Sequence, residues 1–247
     1  MCRHSPASRR SSRPSTRSAI SQRRASASAR LRSGGSSVND DAGRLSLTYF
    51  ADLLEYPRGD IIRVAEECAA LLSPALPEAA GPLRDFANGM TGLPRGTIEE
   101  IYTSTFDLDP VCYLYVGYHV FGETYKRSVF LVALKERYRN CGVGIDSELA
   151  DHISAMLRYV VAGDDAEDVD VVVREALLPA LQRMTGRAKS AGHDDEGESP
   201  PVETPAGERQ LYRGLLEALR LVLMEMAGIE DESEIELAAL AHRSLAH

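Results

Sequence analysis

Residues 113–141 read YLYVGYHVFGETYKRSVFLVALKERYRNC, and the two halves of that stretch decide the fold class. The first half, Tyr113 to Phe121, is short, aromatic and apolar on nearly every side, which predicts a buried helix. Gly122 breaks it. A long helix resumes from about Thr124 to Cys141. Leu131, Leu134, Tyr138 and Cys141 fall on its core face, with Lys126, Arg127, Lys135, Glu136 and Arg139 around the rest. Gly142 and Gly144 stop it.

The helical period continues on both sides of this centre. Leu47, Phe50, Ala51 and Leu54 recur at i, i+3, i+4 and i+7 and predict a helix from Arg44 to Tyr56, ended by Pro57. Ile61, Ala65, Cys68 and Leu72 predict a second, starting near Asp60. Pro74, Pro77, Gly81 and Pro82 punctuate the next stretch and predict a broken helix. Thr97-Ile98-Glu99-Glu100 reads as a capping box ahead of a helix that turns Ile98, Ile101, Tyr102 and Thr105 inward.

Further on, Ser147 is placed to cap a helix whose stripe is Leu149, Ile153, Met156 or Leu157, and Val160. Val169, Val172, Val173, Ala176, Leu177, Leu181 and Met184 mark another, in which Pro179 predicts a kink or break. Leu211, Leu215, Leu219 and Val222 carry the last, from about Arg209 to Met226. No strand pattern survives, so the expectation is all-α: a single-domain helical bundle. Its parts are a disordered Arg/Ser-rich segment (1–40), a helical core (41–186), a flexible acidic linker (187–208) and C-terminal helices of the same domain (209–247).

Composition narrows the classes. Hydrophobic residues at 44% and charged residues at 26% give an ordinary globular balance, which excludes collagen-like and wholly disordered chains. Apolar runs such as Val129 to Leu134 fall far short of the ~20 residues of a membrane-spanning helix. Four scattered cysteines without a C-x-x-C pair suit a reducing cytoplasm. Residues 1–39 hold nine Arg and no Asp or Glu, so with a net charge of −9 overall the remainder carries about −18. That abrupt change at Val38 leads us to expect a mature protein lacking most of residues 1–37, through a later translation start or processing.

Motifs for catalysis are missing. The sequence has no G-x-x-x-x-G-K-[ST], G-x-G-x-x-G or G-x-S-x-G, and its histidines lack metal-box spacing. No catalytic and no metal-ligating residue is therefore assigned. Two clusters remain. Tyr113, Tyr115, Tyr118 and His119, followed by Lys126-Arg127, combine rigid apolar rings with polar tips, a set that suits a peptide groove. Glu148 and His152 stand at i, i+4 with Asp151 between them, which on a helix gives one face. That trio reads as a surface ion pair, as a device fixing a helix entry angle, or as a contact for a basic ligand.

Taken in order, Ile101-Tyr102-Thr103-Ser104-Thr105-Phe106-Asp107, Leu114-Tyr115, Tyr118-His119, Phe121-Gly122-Glu123, Lys126-Arg127, Leu131, Leu134, Tyr138 and Gly142 resemble the TorD/NarJ redox-enzyme maturation chaperones, in their nitrate reductase delta-subunit branch. Glu148-Leu149-Ala150-Asp151-His152 is similar to that family's hinge motif, with Ala150 and Ser154 where prolines are common. Leu178-Pro179-Ala180-Leu181 and Tyr212 to Leu223 resemble its later helices.

The resemblance implies a cytoplasmic chaperone rather than an enzyme. It implies a peptide site at Tyr115, Tyr118, His119 and Arg127, and a hinge at Glu148, Asp151 and His152. The implied partner is the N-terminal peptide of the apo catalytic subunit of nitrate reductase or a related molybdoenzyme, which is held until it receives its molybdenum cofactor. No cofactor is expected to stay on the chaperone, and neither nucleic acid nor membrane insertion is expected. An acidic folded region independently suits an Arg-bearing peptide and disfavours phosphate backbones. Protonation of His119 and His152 near pH ~6 is expected to weaken such binding. Two other readings stay open: an all-α enzyme using Asp107, His119, Glu148 and His152, and a helical scaffolding module.

Overall fold

In the computed structural model, residues 38–108, 113–145, 148–187, 206–233 and 235 are described. The expectations for residues 1–37, for Ser147 and for nearly all of the 187–208 linker lie outside them. Helix α1 (Val38–Leu53) starts earlier than its apolar stripe suggests, and Leu47, Phe50, Ala51 and Leu54 are all fully buried. Helix α2 (Ile61–Leu72) opens on Asp60, whose carboxylate accepts the Arg63 N–H at 3.1 Å. Ile61, Ala65, Cys68 and Leu72 form its inner face.

Two expectations fail at the next elements. Helix α3 (Pro77–Met90) is continuous although Pro82 lies within it. An internal proline costs ~3 kcal/mol. The buried face of Leu83, Phe86 and Met90 offsets that, at ~1.5–3 kcal/mol for each large side chain. Helix α4 (Arg95–Phe106) begins before Thr97, so no capping box forms. Pro94 is the N-cap instead, its carbonyl accepting the Thr97 N–H at 3.0 Å. Ile101, Tyr102 and Thr105 point inward as the period requires.

Helix α5 (Val116–Phe121) is shorter than the aromatic run, and Gly122 ends it at φ 63°. Helix α6 (Tyr125–Cys141) stops at Gly142 in the left-handed region, φ 74°. Helix α7 (Ile153–Ala162) begins several residues later than its stripe predicts. Helix α8 (Ala166–Val172) passes through a π-turn (Val173–Leu177) into α9 (Leu178–Met184). The widened turn stands immediately before Pro179, whose ring and missing N–H cannot fit a regular ladder. Helix α10 (Ala206–Ala227) closes the bundle.

Packing follows from the stripes. Helix α10 lies along α3, α3 along α2, α2 along α1, and α1 along α7. An edge-to-face aromatic cluster fills the centre, with the Tyr212 ring 5.0 Å from Phe86 and 4.8 Å from Phe106. Polar ties fasten the periphery. Arg137 grips Asp168 through two bonds of 2.7 and 2.6 Å, joining α6 to α8. The buried Arg220 guanidinium holds Glu217 at 2.8 Å and Glu232 at 3.1 Å. No helix among the described residues is long and apolar enough to cross a membrane.

Candidate functional site

The segment Glu148–His152 is not helical, which corrects the reading of Glu148 and His152 as one helix face. It is a turn, closed by the His152 N–H donating to the Leu149 carbonyl at 3.0 Å, and it is pinned to the residues that enter α5. The Val116 N–H donates to the Asp151 carbonyl and the Ile153 N–H to the Leu114 carbonyl, each at 2.8 Å. These two bonds make an isolated antiparallel bridge between Tyr115 and His152. Backbone pairing with a partner over 30 residues away outcompetes the local helical pattern of Leu149, whose side chain is 47% exposed. Helix α7 then starts with His152 as its N-cap, Nδ1 accepting the Ser154 N–H over a long 3.4 Å.

Side chains lock this bridge from three directions. Arg127 turns inward from α6, and its Nε donates to Asp151 Oδ2 at 2.8 Å. The Asp151 side chain is 0% exposed and that of Arg127 only 18%. The Arg127 guanidinium also lies 5.8 Å from the centre of the Tyr115 ring, within cation–π range. Tyr115 Oη donates to Glu148 Oε2 at 2.8 Å, and Tyr138 Oη to the Ala150 carbonyl at 2.6 Å. Gly117 makes room: a Cβ there would sit 2.6 Å from Asp151 Oδ2 and 3.2 Å from Arg127 Cγ.

Electrostatics sort these groups into a sealed set and an open set. Burial pushes the Tyr115 phenol up to about 12, helped by its bond to the Glu148 carboxylate, so the hydroxyl stays a donor. Asp107, exposed at the end of α4, is raised by partial burial and by the Glu148 charge, with His152 acting against both. Asp107 and Glu148 are thus two exposed carboxylates that repel each other beside Tyr115.

His119 departs from its expected role. It is buried at the foot of α5, where Nε2–H donates to the Tyr113 carbonyl at 2.7 Å; a carbonyl only accepts, which fixes the tautomer. Burial lowers it to about 4 despite that bond. His152 is also lowered, mainly by burial. His119 therefore stays neutral near pH 6, which removes it as the expected pH handle, and His152 shifts in the same direction. Desolvation outweighs the nearby carboxylates.

Of the seven residues singled out from sequence, Tyr115, Arg127, Glu148, Asp151 and His152 converge. The rings of Tyr118 and His119 instead form a second group with Tyr113, Tyr118 lying 5.4 Å from Tyr113 and 5.6 Å from His119. Sequence reasoning missed Gly117 and the inward turn of Arg127. The signal for the first was present, since a glycine inside an apolar helix costs ~1 kcal/mol and calls for a packing reason. Among the described residues, no group of three or more His, Cys, Asp or Glu could hold a metal ion.

An all-α bundle whose central loop is clipped back onto a short aromatic helix defines the class of fold. Residues 69–185, which contain every member of this site, match the model of the nitrate reductase delta subunit family. The matched stretch is a little under half of the chain. No curated protein matches it in sequence.

Proposed function

We propose that this chain is a maturation chaperone for a molybdoenzyme, with the apo catalytic subunit of respiratory nitrate reductase or a related enzyme as client. The match of residues 69–185 to the delta-subunit family model supports the class of role. The observation that carries the finer reading is the pair of exposed carboxylates, Asp107 and Glu148, beside the half-buried Tyr115 ring. The client's N-terminal peptide lies over Tyr115 and Tyr118, with an arginine of that peptide received by Asp107 and Glu148. His119, buried beneath, holds the α5 backbone rather than touching the peptide. Arg127 acts through Asp151 to keep the loop and Tyr115 in place.

Apolar and aromatic contacts supply most of the affinity, because exposed ion pairs contribute only ~0.2–1 kcal/mol each. Charge speeds encounter and sets orientation. The role is non-catalytic and cytoplasmic: the peptide is held while the client receives its molybdenum cofactor, and no cofactor stays on the chaperone.

Two measurements test this. Affinity capture from cells respiring on nitrate, read by mass spectrometry, is expected to recover a molybdoenzyme catalytic subunit. Calorimetric titration of that subunit's N-terminal peptide is expected to give binding that Tyr115→Ala plus Tyr118→Ala abolishes. Unchanged affinity in the double variant places the peptide elsewhere, and capture free of any molybdoenzyme removes the client assignment.

A further inference from the structure

Helix α6 is the least covered long helix of the bundle. Of its 17 residues only Leu134 and Tyr138 are buried. Tyr125, Val129 and Val132, at i, i+4 and i+7, form a stripe on the opposite face and are 82%, 52% and 58% exposed. Such a run of large apolar side chains on one solvent-facing helix marks an interaction surface rather than scattered exposure. Beside the start of the stripe an open depression of about 390 Å³ lies between α6 and the 148–152 turn, lined by Tyr125, Leu131 and Leu149 with Glu123, Thr124, Arg127 and Ser128.

The flanks of the stripe are basic. Helical spacing puts Lys135 and Arg139 along one flank and Lys126 along the other, all exposed, while Glu136 continues the line of the stripe. The two other basic residues of α6, Arg127 and Arg137, are committed to Asp151 and Asp168. Three exposed cations against Glu136 on the helix, with Glu123 just ahead of it, make an apolar face with basic flanks on a folded region that is otherwise strongly acidic.

We propose that this face of α6 docks an amphipathic helix whose apolar side is flanked by Asp and Glu. One apolar side chain of that helix fills the depression by Leu131 and Leu149, and its acidic flanks meet Lys126, Lys135 and Arg139. Packing α6 against a second α6 brings like charges together, which disfavours a second copy as the occupant. An anionic bilayer is disfavoured too. It would meet the acidic remainder of the chain as well as α6, and a flat surface leaves the depression unfilled. The proposal is independent of the leader-peptide reading, because the charge demanded here is the opposite one.

Fluorescence anisotropy tests it with two synthetic helices that share one leucine stripe, one flanked by Glu and the other by Lys. The full chain is expected to bind the Glu-flanked helix in preference. Val129→Ser plus Val132→Ser, at exposed positions, is expected to weaken that binding by about tenfold or more, the worth of one anchoring apolar contact. Lys135→Glu plus Arg139→Glu is expected to reverse the preference toward the Lys-flanked helix, with helicity by circular dichroism unchanged in both variants. Equal binding of the two helices, or binding untouched by either variant, overturns the proposal. So does sedimentation with phosphatidylserine vesicles, or a dimer in ultracentrifugation, if either is lost in the Val129/Val132 variant.

Discussion

Asp151 is fully buried, and Arg127, 24 residues earlier in the chain, neutralises it through a 2.8 Å bond from Nε. The second carboxylate oxygen, Oδ1, has no hydrogen-bond partner among the described residues. One charge-assisted bond therefore decides whether an acidic group is tolerated in the 148–152 turn. A buried pair of this kind adds little over an apolar pair, but losing one partner strands the other charge. Its value here is positional: it fixes the loop beneath Tyr115.

Arg127→Ala is expected to cost about 3–5 kcal/mol, the penalty of an uncompensated buried carboxylate. Asp151→Asn, which keeps the shape and removes the charge, is expected to cost less. The double variant Arg127→Ala plus Asp151→Asn should cost clearly less than the sum of the two. Urea denaturation of the four proteins gives the cycle. Strict additivity would show that the two side chains are energetically independent.

Gly117→Ala sets helix propensity against packing. Alanine is favoured by ~1 kcal/mol inside a helix, yet its Cβ would stand 2.6 Å from Asp151 Oδ2. Overpacking of a fixed site costs ~1–3 kcal/mol, so a net loss of stability is expected. Thermal unfolding measures it; a stabilised variant would mean that the 148–152 turn yields freely.

Stability should fall with pH before the carboxylates of the chain titrate. His119 is held at about 4 in the folded state against 6.5 for the free side chain. A lowered histidine contributes stability that is fully present above the unfolded value and is lost as pH falls toward the folded one. The unfolded chain takes up the proton first. At 1.36 kcal/mol for each pH unit of difference, the loss between pH ~6.5 and ~4 reaches at most about 3 kcal/mol. His152 shifts in the same direction. Urea midpoints across that range should therefore decline, and His119→Gln should flatten part of the decline; an unaltered slope would mean that His119 is not shielded from protonation.

Binding of an Arg-containing leader should weaken on acidification through Asp107, not through His119. Asp107 is raised, so it protonates at a higher pH than an ordinary aspartate and then no longer attracts a guanidinium. Asp107→Asn and Glu148→Gln are each expected to lower affinity by about two- to fivefold, the range of an exposed ion pair. Calorimetry at two pH values should find the acid-side loss reduced in Asp107→Asn. Affinity indifferent to both substitutions would move the arginine's partner elsewhere.

Much of this protein was legible one residue at a time. The 3.6-residue period of Leu47, Phe50 and Leu54, of Ile61, Ala65 and Cys68, and of Leu215, Leu219 and Val222 determined an all-α bundle and its core. Burial of one helix face is a local pattern with a non-local reward. Gly122 and Gly142 fixed where α5 and α6 end, because only the chain's own backbone geometry is involved. The order of the aromatic residues and of Glu148, Asp151 and His152 pointed to the same family whose model matches residues 69–185.

What the period could not reveal is where a local pattern loses to a distant partner. Leu149 continues the stripe of Ile153 and Val160, yet the segment before Ile153 is pulled out of the helix by backbone bonds to Leu114 and Val116. Pro82 should have broken α3, and burial of Leu83 and Phe86 held it together. Arg127 looked like one more solvated cation on α6 until Asp151 came to lie within 2.8 Å of it. His119 looked titratable until the bundle closed over it. Each outcome depends on solvent exclusion and on contacts between residues far apart in the chain, and these exist only once the helices have packed.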